Sequence, residues 1–228
     1  MIKRDTLRLG SVKPVQSFVA RDGRMTDFQR HILSEMWPHI GLSLQAAELD
    51  VEQIFGRRAP LTIEIGFGDG RSLLAMAQAN PQHDFIGIEV YRSGIAKLCA
   101  GIRAANLKNI RVFCADALEV LTNCIPDASV QQVLLFFPDP WPKARHHKRR
   151  IVQADFAALV WNKLQINGCL HMATDWEDYA QHMLAVMEQQ VNWENVRPTT
   201  RPLTKFENRG QRLGYGIWDL MFRKCHNI

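Results

Sequence analysis

The sequence contains no run approaching the ~18 consecutive apolar residues that a membrane-spanning helix requires, which excludes a helical membrane protein. Its start, Met1-Ile2-Lys3-Arg4-Asp5, leads into no apolar core, so no secretory signal is read there. Cysteine is scarce and unpatterned. Cys99, Cys114, Cys124, Cys169 and Cys225 are odd in number and form no C-x-x-C pair, which disfavours a disulfide framework and a zinc knuckle. No Cys/His/Asp cluster completes a metal site, so no metal is expected. Internal repeats and low-complexity segments are also missing. These absences predict a reduced, cytoplasmic protein without a membrane or an obligate protein partner.

What is present is a chain of 228 residues, 46% hydrophobic and 22% charged, enough for one folded domain with a sizeable core. The net charge of +5 is unevenly spread. Residues 1–30 hold seven Lys/Arg against three acids, and residues 197–228 hold seven against two, so the excess sits at the ends. Residues 143–196 balance at six each but contain one concentrated run, Lys143-Ala144-Arg145-His146-His147-Lys148-Arg149-Arg150. Basic arms and a basic loop around a more acidic middle suit a polyanion gripped beside a separate pocket. Basic ends that serve solubility alone remain the alternative.

Residues 1–25 have few periodic apolar positions and read as a flexible basic arm, leaving residues 26–228 as a single domain. Thr26-Asp27-Phe28-Gln29 fits a helix N-cap with a capping glutamine, and Trp37-Pro38 is expected to end that helix. From residue 61 strands and helices alternate. Strands are expected at Leu61–Ile65, Asp84–Val90, Ile110–Asp116, Val130–Phe137, Gly168–Thr174 and Gly214–Arg223. Helices are expected at Arg71–Ala79, near Ser93–Ala105, at Ile151–Leu164 and from Trp176 through Met187. This alternation predicts an α/β, doubly wound, mostly parallel sheet with helices on both faces. Ligands in such sheets bind beyond the carboxyl ends of the strands.

Acids stand at three of those ends. The first strand closes Glu64-Ile65-Gly66-Phe67-Gly68-Asp69-Gly70, where glycines allow a tight turn and close approach to the backbone. Its spacing is not the G-x-G-x-x-G of a dinucleotide fold. Glu64, near the end of a central strand, is costly unless paired, and a cationic ligand would pair with it. Glu89, 23 residues after Gly66, stands where such folds place an acid for ribose hydroxyls, or is a solvated turn acid. Asp116 suits either an adenine amine or the N-cap of a helix from Ala117. Together the three describe a pocket for an adenosine bearing a positive group, and S-adenosylmethionine is such a molecule.

The fourth strand ends Phe136-Phe137-Pro138-Asp139-Pro140-Trp141-Pro142-Lys143. Two prolines stiffen the backbone around Asp139, which places its carboxylate beside a reacting group, and Trp141 either stacks on a base or packs. The basic run follows directly, with His146 and His147 read as phosphate or solvent contacts. Asp175 is either a helix N-cap or functional. Thr204-Lys205-Phe206-Glu207 matches a capping box formally, yet no periodic apolar run follows it, so the segment is read as a functional loop.

The segments EIGFG (Glu64–Gly68), GIEV (Gly87–Val90), FFPDPWPKARHHKRR (Phe136–Arg150), ATDW (Ala173–Trp176) and TKFE (Thr204–Glu207) together resemble the bacterial tRNA (guanine-7)-methyltransferases. The resemblance implies a Rossmann-like class I methyltransferase fold, with a seven-stranded sheet whose last strand is antiparallel. It implies S-adenosylmethionine as donor, S-adenosylhomocysteine as product and a variable-loop guanine of tRNA as acceptor. Carried over by motif, Glu64, Gly66, Gly68, Glu89, Asp116 and Asp139 would contact the cofactor, with Asp139 also catalytic. Lys143, Asp175, Thr204, Lys205, Phe206 and Glu207 would contact the substrate. Arg145, His146, His147, Lys148, Arg149 and Arg150 would contact the RNA.

Two rivals share part of this pattern. A nicotinamide-dependent oxidoreductase would also carry a glycine loop and a following acid, but the glycine spacing and Asp116 argue against it. A non-catalytic RNA-binding module would explain the basic regions and leave the strand-end acids without purpose.

Overall fold

The structure is a computed structural model that describes residues 24–45, 47–202, 204, 207 and 216–226. The arm expected at residues 1–25 lies almost wholly outside the described residues, as do Lys205 and Phe206.

Helix α1 (Asp27–Ile40) starts with the expected capping box: Gln29 N–H donates to Thr26 Oγ1 at 3.2 Å, and Thr26 N–H to Gln29 Oε1 at 3.0 Å. The helix does not end at Trp37-Pro38 but continues to Ile40. Pro38 falls in the last turn, where its missing N–H forfeits one i→i−4 bond, and Gly41 N–H closes the helix on the Trp37 carbonyl. The buried Ile32, Leu33 and Ile40 pack against the helix spanning Arg92–Ala105, which outweighs the local preference.

Among the described residues eight strands form one sheet: β1 (Gly41–Leu42), β2 (Leu61–Ile65), β3 (Asp84–Ile88), β4 (Ile110–Phe113), β5 (Val130–Phe136), β6 (Leu164–Thr174), β7 (Trp193–Val196) and β8 (Trp218–Lys224). Their order is β1-β4-β3-β2-β5-β6-β8-β7. The count corrects the expected seven, because Gly41 and Leu42 add a short parallel edge against Val112 and Phe113. Without that edge the sheet is the expected one. Its final strand runs antiparallel to both neighbours, β6 and β7. That strand begins at Trp218, later than the Gly214 expected.

The remaining helices are α2 (Val51–Phe55), α3 (Arg71–Ala79), α4 (Arg92–Ala105), α5 (Ala117–Asn123), α6 (Ala154–Lys163) and α7 (Glu177–Glu188). They lie on two faces because strand side chains alternate. Phe85, Ile110 and Val112 join α1, α3 and α4 in one cluster. Ile63, Ile86, Ile88, Val133 and Leu135 join α5, α6 and α7 in another. Among the described residues no helix is long and apolar enough to cross a membrane.

The topology sets the position of the site. From β2 the chain moves outward through β3 and β4, then returns to place β5 on the opposite side of β2. Strand order therefore reverses between β2 and β5, and the crevice beyond their carboxyl ends is where ligands bind in such sheets.

Candidate functional site

Strand β2 is buried along its whole length, and Glu64 within it is only 2% exposed. Its Oε2 has no hydrogen-bond partner among the described residues. Burial, aided by the charge of Glu89 and opposed by that of Arg201, pushes the Glu64 carboxyl up to about 8. The following loop takes Gly66 and Gly68 to φ of +70° and +60°, which L side chains rarely adopt. A Cβ at either glycine would meet nothing within 4 Å, so the loop presents bare backbone to open space. Glu64, Gly66, Phe67, Gly68, Ser72, Phe136, Phe137 and Thr204 share one narrow pocket. A buried carboxylate lacking a partner, beside an uncovered glycine turn, fits a small ligand carrying a positive group.

Glu89 is not a solvated acid. It is 9% exposed and accepts from Gly68 N–H at 2.8 Å, Val90 N–H at 2.7 Å and Tyr91 N–H at 3.0 Å. It thereby fastens the glycine turn of β2 to the end of β3. Burial holds its carboxyl above the usual range against those three donors, and the nearby Asp139 charge adds to the rise. Asp116 is the N-cap of α5, its Oδ1 accepting from Leu118 N–H at 2.7 Å and Glu119 N–H at 3.3 Å. Its Oδ2 takes no part in that cap.

Beyond β5, Phe137 and Trp141 adopt φ of +54° and +46°, a strained pair for bulky residues flanking Pro138-Asp139-Pro140. Asp139 is exposed at the tip of this bend. The basic run forms a 3₁₀ turn, Ala144–Arg149. Lys143, Arg145, Lys148 and Arg149 lie on the surface, and the Arg149 guanidinium sits over the Trp141 ring at 4.8 Å. His146 meets the same ring edge-on at 5.9 Å. Desolvation and the surrounding Arg145, Arg149, Lys143 and Lys148 hold its imidazole below the usual range.

Asp175 is half-buried and does not cap α7. That position belongs to Trp176, which makes no side-chain cap bond. At Thr204 and Glu207 the capping-box geometry, doubted from the sequence, is present. Glu207 N–H donates to Thr204 Oγ1 at 3.1 Å, and Thr204 N–H to Glu207 Oε2 at 3.3 Å.

Comparison with known proteins covers this whole site. A family model described as "Putative methyltransferase" matches residues 58–220. The tRNA (guanine-N(7)-)-methyltransferase of Ectopseudomonas mendocina is 55% identical over 220 residues, 93% of this chain and 92% of its own length. That of Stutzerimonas stutzeri is 54% identical over the same shares. The chain belongs to the tRNA (guanine-N(7)-)-methyltransferase family. In fold it is also similar to the crystal structure of the 16S rRNA methyltransferase KamB, with a TM-score of 0.58 at 16% identity. That match covers 82% of this chain and 98% of the other.

Within this methyltransferase family member the structure sorts the basic run in a way its sequence does not. Arg150, expected on the RNA, is 2% exposed and turned inward. It pairs with Asp178 of α7, contacts His147 Nε2 at 3.0 Å and lies over the Tyr179 ring at 4.9 Å. Its Nε donates to the Pro140 carbonyl at 3.0 Å, so it braces the bend carrying Asp139. His147 is likewise occupied by Arg150. Arg201 was missed altogether, because nothing in its spacing marks it. Its charge acts on Glu64, and two acids, Glu207 and Asp219, bind it. Among the described residues no group of three or more His, Cys, Asp or Glu side chains could hold a metal ion.

Proposed function

We propose that this protein transfers a methyl group from S-adenosylmethionine to N7 of a guanine in tRNA, in the cytoplasm and without a metal. The observation that carries the reading is the buried Glu64 carboxyl, its Oε2 without a hydrogen-bond partner among the described residues, under the open glycine turn at the point where strand order reverses. The relatives that match across this site bear the named activity, which supports tRNA guanine as the acceptor.

When bound, S-adenosylmethionine supplies an electrophilic methyl group on a sulfonium. Glu64 would face its ammonium, Gly66 and Gly68 its backbone side, Glu89 the ribose and Asp116 Oδ2 the adenine amine. Guanine N7 has a free lone pair and no proton, so no residue has to act as a base. Attack moves positive charge onto the purine. The Asp139 carboxylate, beside the crevice on a stiffened bend, favours that charge and orients the ring. Lys143, Asp175, Thr204, Lys205, Phe206 and Glu207 would contact the acceptor, while Arg145, Lys148 and Arg149 carry the RNA backbone.

Incubation with methyl-labelled S-adenosylmethionine and unmodified tRNA, followed by nucleoside analysis, tests the reading. Label is expected in 7-methylguanosine. Label in another nucleoside would keep the chemistry and discard the acceptor, and no transfer to any RNA would discard both.

The surface cations make a separate prediction. Lys148→Ala and Arg149→Ala should each weaken tRNA binding and lower its log–log salt slope by about one, since each releases roughly one counterion. Arg150→Ala should leave the slope alone and lower thermal stability instead, because it removes a buried side chain from the Tyr179 ring and takes the Nε donor from the Pro140 carbonyl. Binding titrations at several salt concentrations separate the two. A slope that fell only with Arg150 would reverse this assignment.

A further inference from the structure

Arg201 joins three elements. Its side chain is 7% exposed. Nε and Nη2 fork onto Asp219 of β8 at 2.7 and 3.0 Å, and Nη1 reaches Glu207 Oε2 at 2.5 Å. The guanidinium plane also lies over Phe136 at 4.7 Å and near Phe137 at 5.7 Å. Asp219 Oδ1 meets His171 Nε2 at 2.9 Å, and the His171 ring approaches Phe136 edge-on at 5.2 Å. Phe136 is therefore clamped between two side chains that share one carboxylate.

Each end of this arrangement touches the chemistry. Phe136 and Phe137 lead directly into Pro138-Asp139-Pro140. Glu207, held by Arg201, makes reciprocal hydrogen bonds with Thr204, and Thr204 lines the same pocket as Glu64 and Gly66. Against burial, the hydrogen bonds from His171 and Arg201 hold Asp219 at about 2, well below the usual carboxylate range, and the Asp219 and Glu207 bonds keep the Arg201 guanidinium above its ordinary value despite burial. Both partners stay charged across any working pH.

We infer that Arg201 is a positioning residue that fixes the hydrogen-bonded Thr204 and Glu207 against the carboxyl end of β5, and so sets the acceptor in register with Asp139 and the methyl donor. The inference rests on the function proposed above. Lysine cannot replace it, because a point charge has neither the planar fork for Asp219 nor a face for Phe136.

The test is Arg201→Lys, with Glu207→Gln as a milder companion that leaves the Arg201–Asp219 pair intact, and the double variant. In Arg201→Lys the kcat for tRNA methylation should fall tenfold or more, while S-adenosylhomocysteine affinity changes less than threefold. Amide hydrogen exchange at Thr204 and Glu207 should speed up at least tenfold, with β5 amides unchanged. The double variant should lose no more activity than Arg201→Lys alone, since both act through the bonded Thr204 and Glu207. Unchanged exchange at Thr204 and Glu207, or additive losses, would overturn the inference. So would a drop in kcat matched by an equal drop in folded fraction. If wild-type protein methylated no tRNA, the functional reading would fall, and the exchange measurement would still decide the role of Arg201.

Discussion

Asp139→Ala is expected to lower kcat for tRNA methylation by roughly 10²–10³, the loss typical when a preorganised charge-stabilising group is removed. Affinity for S-adenosylhomocysteine should change by much less. The argument starts from the backbone. Pro138 and Pro140 restrict the bend, Phe137 and Trp141 sit at positive φ, and Arg150 Nε grips the Pro140 carbonyl. Strain of this kind costs about 1–3 kcal/mol per residue and persists only where the surroundings over-determine it. Here it presents one exposed carboxylate close enough for its charge to act on Glu89. Alanine removes the carboxylate and leaves both prolines and the Arg150 bond. Steady-state kinetics beside calorimetric binding separate the two effects. Equal losses in turnover and affinity would make Asp139 a binding residue only.

Glu64→Gln is expected to have the other large effect, with opposite signs for binding and stability. In the protein without cofactor the Glu64 carboxyl sits at about 8, so its neutral acid form prevails at pH 7. A cationic ligand needs the carboxylate. Binding of S-adenosylhomocysteine at pH 7 should therefore release close to one proton from Glu64, and affinity should rise with pH up to about 8. Calorimetry in buffers of different ionisation heat measures that proton. In Glu64→Gln the release should vanish and affinity should fall at least tenfold, as one charge-assisted hydrogen bond is lost.

Stability runs the other way. The folded pKa is raised above the unfolded value near 4.5, so the unfolded chain loses this proton first as pH rises. Wild-type stability should decline by about 1.4 kcal/mol per pH unit between 4.5 and 8 from this group alone, then level off. Glutamine does not titrate. Against the cost of its own buried N–H, the variant should be more stable than wild type by about 2–3 kcal/mol at pH 8, with the gap closing towards pH 5. Thermal melts of both proteins across that range check it. Parallel curves would mean that Glu64 is ionised throughout.

The sequence by itself determined the alternation of strands and helices, because apolar periodicity and capping chemistry are local. Leu61–Ile65, Arg71–Ala79 and the Thr26 capping box stand where those patterns place them. It also determined which strands end in acids, since residue type and position along the chain suffice for that. Short or weakly patterned elements escaped. The β1 edge has only two residues, and β7 carries Glu194 and Asn195 between its half-buried ends.

Only the tertiary structure decided what each charge does. Five cations and two histidines fall within Lys143–Arg150, and nothing local distinguishes Arg149, lying on Trp141, from Arg150, buried against α7. The choice belongs to Asp178 and Tyr179, nearly thirty residues later. Glu89 became a clasp on the glycine turn for the same reason. Arg201 meets Phe136, Glu207 and Asp219 only after β8 has entered the sheet between β6 and β7. A side chain's partners depend on which distant segments share its space, and that is a property of packing, which local sequence does not encode.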